Sequence, residues 1–312
     1  MSTTDTQASS SLDCPLQDNG ERSIQRVTSR HAEVGGIPIN RLMPSRQRRM
    51  IGAWCFLDHA GPAVFNPGAG MRVGPHPHIG LQTFTWMIKG EVLHRDSLGN
   101  EQVIRPGQVN LMTAGRGIAH TEESLPGEGQ LHAAQLWIAL PPEVSACAPA
   151  FDHHPDLPRW SENGCDFTLL AGSYNAQHAP AKLYSPLVGM DLFSAQGTDI
   201  QLPLNPAFEY GILTLEGETR IGTQQFAIDE LAYLGRGNGE LRLQLSPGSR
   251  VILLGGEPCA QEILIWWNFV GHSKAEIAEA QHDWEAGSDR YGSVHGYDGP
   301  PLAAPPLPWS RY

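Results

Sequence analysis

The chain has 312 residues, with 21 Lys and Arg against 33 Asp and Glu, and its formal net charge is -12. This acidic balance argues against direct binding to nucleic-acid phosphates. The cysteines are odd in number and scattered, without a Cys-x-x-Cys pair, which favours a reducing compartment over a disulfide scaffold or a thiolate zinc site. They are Cys14, Cys55, Cys147, Cys165 and Cys259.

Residues 1–22 are polar and rich in Ser and Thr, and we expect them to form a disordered arm. The segment lacks the basic start and the apolar core of a secretory signal. No apolar run in the sequence approaches the roughly 18 residues that cross a bilayer. We therefore expect a soluble, cytoplasmic protein with no membrane contact.

Beyond the arm the sequence consists of short β-like runs separated by turn residues, with 34 Gly and 25 Pro in the chain. Runs rich in β-branched and aromatic residues are typical of strands. Short strands without intervening helices favour an all-β barrel or sandwich. We predict strands at Trp54–Leu57, Gln82–Ile88, Glu91–His94, Gln102–Ile104, Val109–Met112 and Gln135–Leu140.

The β-rich sequence falls into two parts. A first domain at residues 23–145 and a second at 165–271 are separated by a Pro-, His- and Asp-rich segment, 146–164, which we interpret as a linker. Residues 272–312 form a C-terminal helix and tail. Ser273-Lys-Ala-Glu276 is a capping box that predicts where this helix begins.

An internal sequence repeat, an echo of the first β domain in the second, links the two domains. Thr85-Trp-Met-Ile-Lys-Gly-Glu91 is matched by Leu213-Thr-Leu-Glu-Gly-Glu218, and Ala114-Gly-Arg-Gly117 is matched by Leu234-Gly-Arg-Gly237. Similar units at a distance indicate a repeated fold. Only the first copy carries clustered histidines, so we expect the second domain to lack metal ligands.

Two short motifs in the first domain carry the candidate chemistry. His76 and His78 are two residues apart, and so are His120 and Glu122. Residues two apart on a strand point to the same face, so each pair can direct two ligand atoms into one cavity. Pro77 suits the edge or start of a strand. Alone, a His-x-His pair can simply be a solvated surface feature, but the two pairs together predict a metal site.

Three imidazoles and a carboxylate form a normal ligand set for a first-row transition metal. With four protein ligands, one or two positions stay open for water, dioxygen or a chelating substrate. We therefore predict one divalent metal ion, with Fe(II) favoured and Mn, Ni, Co or Zn also compatible with the ligand types.

Longer motifs resemble a known family. The runs His76-Pro-His-Ile-Gly-Leu-Gln-Thr-Phe-Thr-Trp86, Gly90-Glu-Val-Leu-His-Arg-Asp-Ser-Leu-Gly-Asn100 and Pro106–Glu122 are similar to those of the pirin family of the cupin superfamily. The resemblance covers most of the chain after about residue 25. It implies a bicupin, in which two β-barrels face each other and only the N-terminal one holds a metal, usually iron. The ligands implied by position are His76, His78, His120 and Glu122.

The first domain also contains candidate catalytic and pocket residues. Many relatives have Glu where this chain has Gln82, which we expect to share a face with His76 and His78 because it follows His78 by four residues. A neutral amide can orient a substrate hydroxyl but cannot act as a general base. Glu122 could fill that role by leaving the metal. Phe56 and Gln135 are candidates for the substrate pocket, although both are also typical of barrel packing.

Other histidines are interpreted as lying outside the ligand set. We expect His59 and His94 to be surface residues or to lie behind the ligands, and we read His153-His154 as a solvated pair in the linker.

Two functions remain open at this point. Some family members are similar to quercetin 2,3-dioxygenases, which open a flavonol ring with dioxygen, so a small phenolic substrate is one expectation. Others are metal-dependent partners of transcription factors or metabolic enzymes, so a redox-sensing regulatory protein with a protein partner is the alternative. A third interpretation is that the metal only staples the barrel.

Overall fold

Antiparallel β-sheets dominate the computed structural model, which describes residues 7–15, 24–66 and 69–309. The first half of the chain forms β1 (Ser9–Ser10), β2 (Gln25–Thr28), β3 (Arg30–Val34), β4 (Ile37–Met43), β5 (Trp54–Val64), β6 (Arg72–His78), β7 (Leu81–Lys89), β8 (Val92–Asp96), β9 (Glu101–Ile104), β10 (Val109–Thr113), β11 (Ile118–Ser124), β12 (Gln130–Ala139) and β13 (Ala150–His154). All six predicted strands are present within this set.

The second half forms β14 (Arg159–Glu162), β15 (Cys165–Tyr174), β16 (Gln177–His178), β17 (Leu187–Ser194), β18 (Thr198–Pro203), β19 (Glu209–Glu216), β20 (Thr219–Ile221), β21 (Gln224–Phe226), β22 (Glu230–Gly235), β23 (Glu240–Leu245), β24 (Ser249–Gly256), β25 (Leu264–Trp266) and β26 (Phe269–Gly271). Two short 3-10 helices, at Ser11–Asp13 and Pro142–Val144, and one α-helix, α1 (Lys274–Glu285), complete the elements of the described residues.

The first barrel is built from two sheets. A seven-stranded sheet has the order β13-β10-β7-β12-β5-β4-β3, and a four-stranded sheet has the order β6-β11-β8-β9. Side chains from both sheets share the interior: Val73, Met87 and Val92 meet near one end, and Leu81 and Ile118 belong to a cluster at the other end. Strand β6 is an edge strand, as Pro77 predicts.

The second barrel repeats this plan. Its larger sheet has the order β14-β15-β17-β24-β19-β22-β2, with β16 paired to β15, and its smaller sheet has the order β18-β23-β20-β21. Met190, Ile212 and Leu243 lie in its core. The internal echo in the sequence therefore corresponds to two barrels of the same kind.

The two large sheets pack face to face. Phe84 and Leu136 of the first barrel share one buried apolar cluster with Leu213 and Ile252 of the second. Trp54 crosses this interface, and its indole N–H donates to the carbonyl oxygens of Val188 and Gly255, each at 3.3 Å. Each large apolar side chain buried in this way contributes about 1.5–3 kcal/mol. The expected all-β fold with two facing barrels is confirmed.

The domain boundaries differ from the sequence expectation. Strand β2 pairs with β22 and so belongs to the second barrel, although residues 23–145 were expected to form the first. The segment 146–164 contains two strands: β13 pairs with β10 of the first barrel, and β14 pairs with β15 of the second. Strand pairing between distant segments decides these assignments, and local composition does not report it.

The N-terminal arm is also partly ordered. Within residues 7–15, strand β1 pairs with β25 and Ser11 begins the first 3-10 helix. The remainder of the expected disordered arm, residues 1–6 and 16–22, lies outside the described residues.

The C-terminal helix begins as the capping box predicts. The Ser273 side chain accepts a hydrogen bond from the Glu276 N–H at 3.2 Å, and Glu276 Oε2 accepts the His272 N–H at 2.7 Å. Ile277 and Ala280 are buried against the hairpin of β25 and β26. This hairpin bridges back to the first barrel, where Val270 N–H donates to Ile79 O at 3.2 Å.

Candidate metal centre

Three imidazoles converge inside the first barrel. His76 and His78 lie on β6, and His120 lies on the neighbouring strand β11 directly opposite His76. One ring nitrogen from each residue lies within 4.8 Å of those of the other two, and the three side chains are 0–1% exposed. The alternating face of each strand brings these residues together, as the two-residue spacing predicts.

Hydrogen bonds determine which nitrogen each ring offers. His76 Nδ1 lies 2.8 Å from Gly74 O, His78 Nδ1 lies 3.0 Å from Asn268 O, and His120 Nδ1 lies 3.4 Å from His94 Nδ1. A neutral imidazole that donates from Nδ1 keeps its lone pair on Nε2. The Nε2 atoms of His78 and His120 are 3.1 Å apart. The two carbonyls fix this tautomer for His76 and His78, and a hydrogen bond on the second ring nitrogen is typical of metal-ligating histidines.

Burial also keeps the three rings neutral. Loss of solvent lowers the pKa of His76, His78 and His120 well below the ordinary histidine value, and the neighbouring imidazoles lower it further. Neutral imidazoles are the form that binds metals. The donor set therefore fits a divalent transition-metal ion.

Glu122 lies beside this group but does not belong to the set of three mutually close ligand atoms. It follows His120 on the same face of β11, after an irregularity in the pairing with β6 that sets Glu122 opposite Val73. The side chain is 5% exposed, and its Oε2 has no hydrogen-bond partner in the described part of the chain. A buried carboxylate oxygen without a donor is compatible with a cation nearby. Ligation by Glu122 stays a prediction.

Gln82 is placed differently from the sequence expectation. Its amide nitrogen donates to Thr113 Oγ1 at 2.9 Å and to Lys182 O at 3.0 Å, and it shares the inter-barrel face of β7 with Phe84. The alternation of side chains along β6 does not continue into β7, because Gly80, with φ +66°, lies in the break between the two strands. The expected common face with His76 and His78 is therefore wrong, and a direct catalytic role for Gln82 conflicts with this placement.

Phe56 and Gln135 both point into the first barrel. Phe56 stacks on Trp137, with ring centroids 4.0 Å apart, and the Trp137 ring meets the His78 ring edge-on at 5.3 Å. Gln135 Oε1 accepts a hydrogen bond from the Thr85 hydroxyl at 2.8 Å. Phe56 and Trp137 thus form an aromatic wall beside the imidazoles, while the pocket roles of Phe56 and Gln135 stay predictions.

Comparison with known sequences places the chain in a family. The sequence model described as Pirin matches residues 36–138, and the model described as the Pirin C-terminal cupin domain matches residues 189–290. The two matches coincide with the two barrels and cover more than half of the chain. The chain belongs to the pirin family.

Individual relatives agree with this assignment. A protein of Pseudomonas aeruginosa, provisionally named a quercetin 2,3-dioxygenase, is 67% identical over 96% of this chain and 95% of its own length. A crystal structure of a quercetin 2,3-dioxygenase from Acinetobacter baumannii is 50% identical, has a TM-score of 0.90 and covers 93% of this chain and 97% of that one.

A more distant structure shares the pirin fold. The bacterial pirin YhhW from Escherichia coli, in complex with nickel(II), is 19% identical with a TM-score of 0.61, over 76% of this chain and 100% of that chain. This likeness concerns the fold alone.

The second half of this pirin contributes to the surroundings of the three imidazoles, which the sequence did not indicate. Asn268 lies between β25 and β26, about 190 residues beyond His78 in the chain, and its carbonyl contacts the His78 ring. The Asn268 side chain is fully buried, and neither of its polar atoms has a hydrogen-bond partner among the described residues. No local motif identifies this residue, because its contact arises from the docking of the hairpin.

His59 and His94 are both buried, so neither is a surface residue. His59 lies between the barrels, whereas His94 touches His120 and lies behind it. His153 is half-buried on β13 and its Nδ1 lies 2.7 Å from Asn110 Oδ1, so it lies on a strand and not in a linker, while its interpretation as a solvated residue and not a ligand stays a prediction. The sequence contains a signal that predicts the position of His94: His94 and Asp96 have the same two-residue spacing as the ligand pairs.

Within the described residues, no helix is both long and apolar enough to cross a membrane.

Proposed function

We propose that this pirin binds one divalent transition-metal ion through His76, His78 and His120, with Glu122 as a fourth ligand, and that the metal-loaded protein opens flavonol-like phenols with dioxygen. The observation that carries the proposal is the group of three buried imidazoles within 4.8 Å. The provisional name of the Pseudomonas aeruginosa relative, at 67% identity, supports the substrate class.

The donor types favour Fe(II), and nickel, cobalt, manganese and zinc suit the same set. When bound, the metal would supply Lewis acidity toward the phenolic oxygens of a chelating substrate and the redox chemistry that dioxygen needs. The nickel(II) complex of the Escherichia coli pirin makes nickel a necessary member of any metal panel.

The side chains around the imidazoles would define the substrate and move its proton. Phe56 and Trp137 form an aromatic surface on which a planar phenol could stack. The Glu122 carboxylate, on the same face of β11 as His120, is the candidate to accept the proton of a substrate hydroxyl, since Gln82 is neutral and lies on the inter-barrel face of β7. These roles rest on the proposed metal site.

The test is an aerobic assay with quercetin on protein loaded separately with Fe(II), Ni, Co, Mn or Zn, following loss of flavonol absorbance and release of carbon monoxide. His120→Ala should reduce bound metal from one equivalent to less than about a tenth and abolish turnover, because a ligand is lost. His178→Ala, at an exposed histidine of the second barrel, is the matched control and should change neither.

Two results would contradict the proposal in different ways. Failure of the wild-type protein to retain any of the five metals would contradict the proposed metal site. Stoichiometric metal binding without turnover for any of the five metals would contradict the enzymatic activity but not the metal site.

The burial of the imidazoles favours a second candidate function, a metal-dependent or redox-sensing regulatory protein with a protein partner. The His78 ring is covered by Asn268 of a hairpin from the second half of the chain. A change of metal charge at His78 would therefore act directly on this hairpin, which packs against the C-terminal helix. Hydrogen exchange of residues 264–271 in Fe(II)- and Fe(III)-loaded protein tests this, and equal exchange rates in the two states would contradict it.

A further inference from the structure

We infer that His94, held by Asp96, is a positioning residue that fixes the tautomer and orientation of the metal ligand His120. This inference rests on the proposed metal site and adds to it a side chain that no ligand motif includes. It concerns Nδ1 of His120, the ring nitrogen that faces His94.

The strand register brings the three residues together. Strand β8 pairs antiparallel with β11, so that His120 lies opposite Asp96 and Glu122 lies opposite His94. His94 and Asp96 are 4% and 2% exposed. The His94 and His120 ring centroids are 5.2 Å apart, with Nδ1 of one ring 3.4 Å from Nδ1 of the other.

The direction of each hydrogen bond follows from which atoms can carry a proton. Asp96 Oδ2 lies 3.1 Å from His94 Nε2. Asp96 also accepts the backbone N–H groups of Leu98 and Asn100 on Oδ1 and the side-chain N–H of Asn100 on Oδ2, so the carboxyl group acts as an acceptor toward the turn. An ionised carboxylate can only accept, so His94 donates from Nε2. A neutral His94 then has its lone pair on Nδ1, where it accepts the His120 Nδ1–H.

The result is that His120 presents a lone pair on Nε2, the atom that faces His78 Nε2. If His94 adopted the other tautomer, two N–H groups would face each other and His120 would have to rotate or change its own tautomer. Ligating histidines are commonly oriented by such a partner on the second ring nitrogen.

Both partners behind His120 are themselves fixed. The His94 ring stacks on Phe151, with centroids 4.3 Å apart and planes 12° from parallel. Asp96 Oδ1 accepts the backbone N–H groups of Leu98 at 2.9 Å and Asn100 at 3.1 Å. The turn after β8 therefore holds the carboxylate, the carboxylate holds His94, and His94 holds His120.

The arrangement at His120 differs from that at the other two ligands. His76 and His78 face backbone carbonyls of Gly74 and Asn268, which no substitution removes. At His120 the partner is a side chain, so its contribution can be measured separately.

The decisive variant is Asp96→Asn. The Asn oxygen can still accept the turn N–H groups, while its NH2 group would face His94 Nε2 and force the opposite His94 tautomer. We expect the affinity for Co2+, measured by competition with a chelator, to fall roughly 10- to 100-fold. His94→Leu should weaken binding similarly, and His94→Asn, which keeps an acceptor near the Nδ1 position, should recover part of the loss. Leu98→Ala, which removes a side chain that is 48% exposed and keeps the backbone N–H that Asp96 Oδ1 accepts, is the control and should stay within about twofold.

A spectroscopic readout separates positioning from mere packing. The Co2+-loaded wild-type protein should show three exchangeable, paramagnetically shifted imidazole N–H signals, one for each ligand. Asp96→Asn and His94→Leu should lose one of the three by exchange with water and retain the two that donate to backbone carbonyls. Thermal unfolding of each variant reports whether the fold is intact.

The outcomes distinguish this inference from the proposed function. Wild-type protein that binds no Co2+ contradicts the metal site itself. Wild-type protein that binds Co2+, with Asp96→Asn unchanged within twofold and all three N–H signals retained, overturns only the role of His94.

Discussion

Arg41 and Asp58 show at the scale of single residues how the interior of the first barrel tolerates charge. Their side chains form a two-point ion pair, Nε to Oδ1 at 2.7 Å and Nη2 to Oδ2 at 2.6 Å, and are 2% and 0% exposed. The guanidinium also lies 4.6 Å from the centre of the Phe56 ring. A pair so deeply buried gains little net stability, because desolvation offsets the attraction, but removal of one partner leaves the other charge uncompensated.

We expect Asp58→Asn to lower the free energy of unfolding by about 3–5 kcal/mol, since it strands the buried Arg41 charge. Chemical denaturation measures this change. The double variant Arg41→Met with Asp58→Leu, which replaces the pair by apolar groups, should be less destabilised than the single variant. A double variant at least as unstable as Asp58→Asn would contradict this account.

The hairpin of β25 and β26 is the element that connects the two halves at the candidate metal centre. It docks on the corner between β6 and β7, where Gly80 adopts φ +66°. A Cβ added at Gly80 would lie 2.1 Å from Val270 O, so only glycine allows the hairpin to approach this closely. The same corner reverses the side-chain alternation that placed Gln82 wrongly.

Gly80→Ala should therefore displace the hairpin. The matched control is Gly99→Ala, which also has a left-handed backbone, with φ +90°, but meets nothing within 4 Å of the added Cβ. The control should lower the free energy of unfolding by about 1–3 kcal/mol through backbone strain alone, and Gly80→Ala should lower it more. Hydrogen exchange should accelerate at residues 264–271 only in Gly80→Ala, and equal effects of the two substitutions would contradict the proposed contact.

At the scale of the whole molecule, a chain of polar groups crosses the interface between the barrels. His59 Nδ1 lies 2.6 Å from Asp229 Oδ1, His59 Nε2 lies 2.8 Å from His132 Nε2, and His132 Nδ1 lies 3.1 Å from Glu216 Oε1. The two histidines come from the first barrel and the two carboxylates from the second. Burial, followed by the charges of His59, Arg250 and Lys89, lowers the pKa of His132 to about 3. Glu216 is 34% exposed, so solvent screens its opposing effect.

This shift predicts a pH dependence of stability. Because the folded protein holds His132 neutral below its unfolded pKa of about 6.5, the stabilising contribution is complete above that pH and is lost as the pH falls toward 3. His132→Gln should therefore flatten the dependence of the free energy of unfolding on pH between about 6.5 and 4. His178→Gln, at an exposed histidine, should leave that slope unchanged, and a His132→Gln slope equal to the wild-type slope would refute the assignment.

The local parts of this structure were accessible from the sequence. The two-residue spacing of His76 with His78 and of His120 with Glu122 reports strand faces, since side-chain alternation is a property of a few consecutive residues. The strands themselves, the capping box at Ser273 and the repeat of the two domains are local or periodic signals of the same kind. The resemblance to the pirin family then supplied the facing barrels.

The tertiary structure alone decided which distant segments meet. It placed β2 in the second barrel, gave β13 to the first, and brought Asn268 onto the ring of His78. It also turned Gln82 away from the imidazoles, because the break at Gly80 interrupts the alternation on which the count relied. Pairing and docking between remote segments depend on the whole set of packed surfaces, and no short stretch of sequence contains that information.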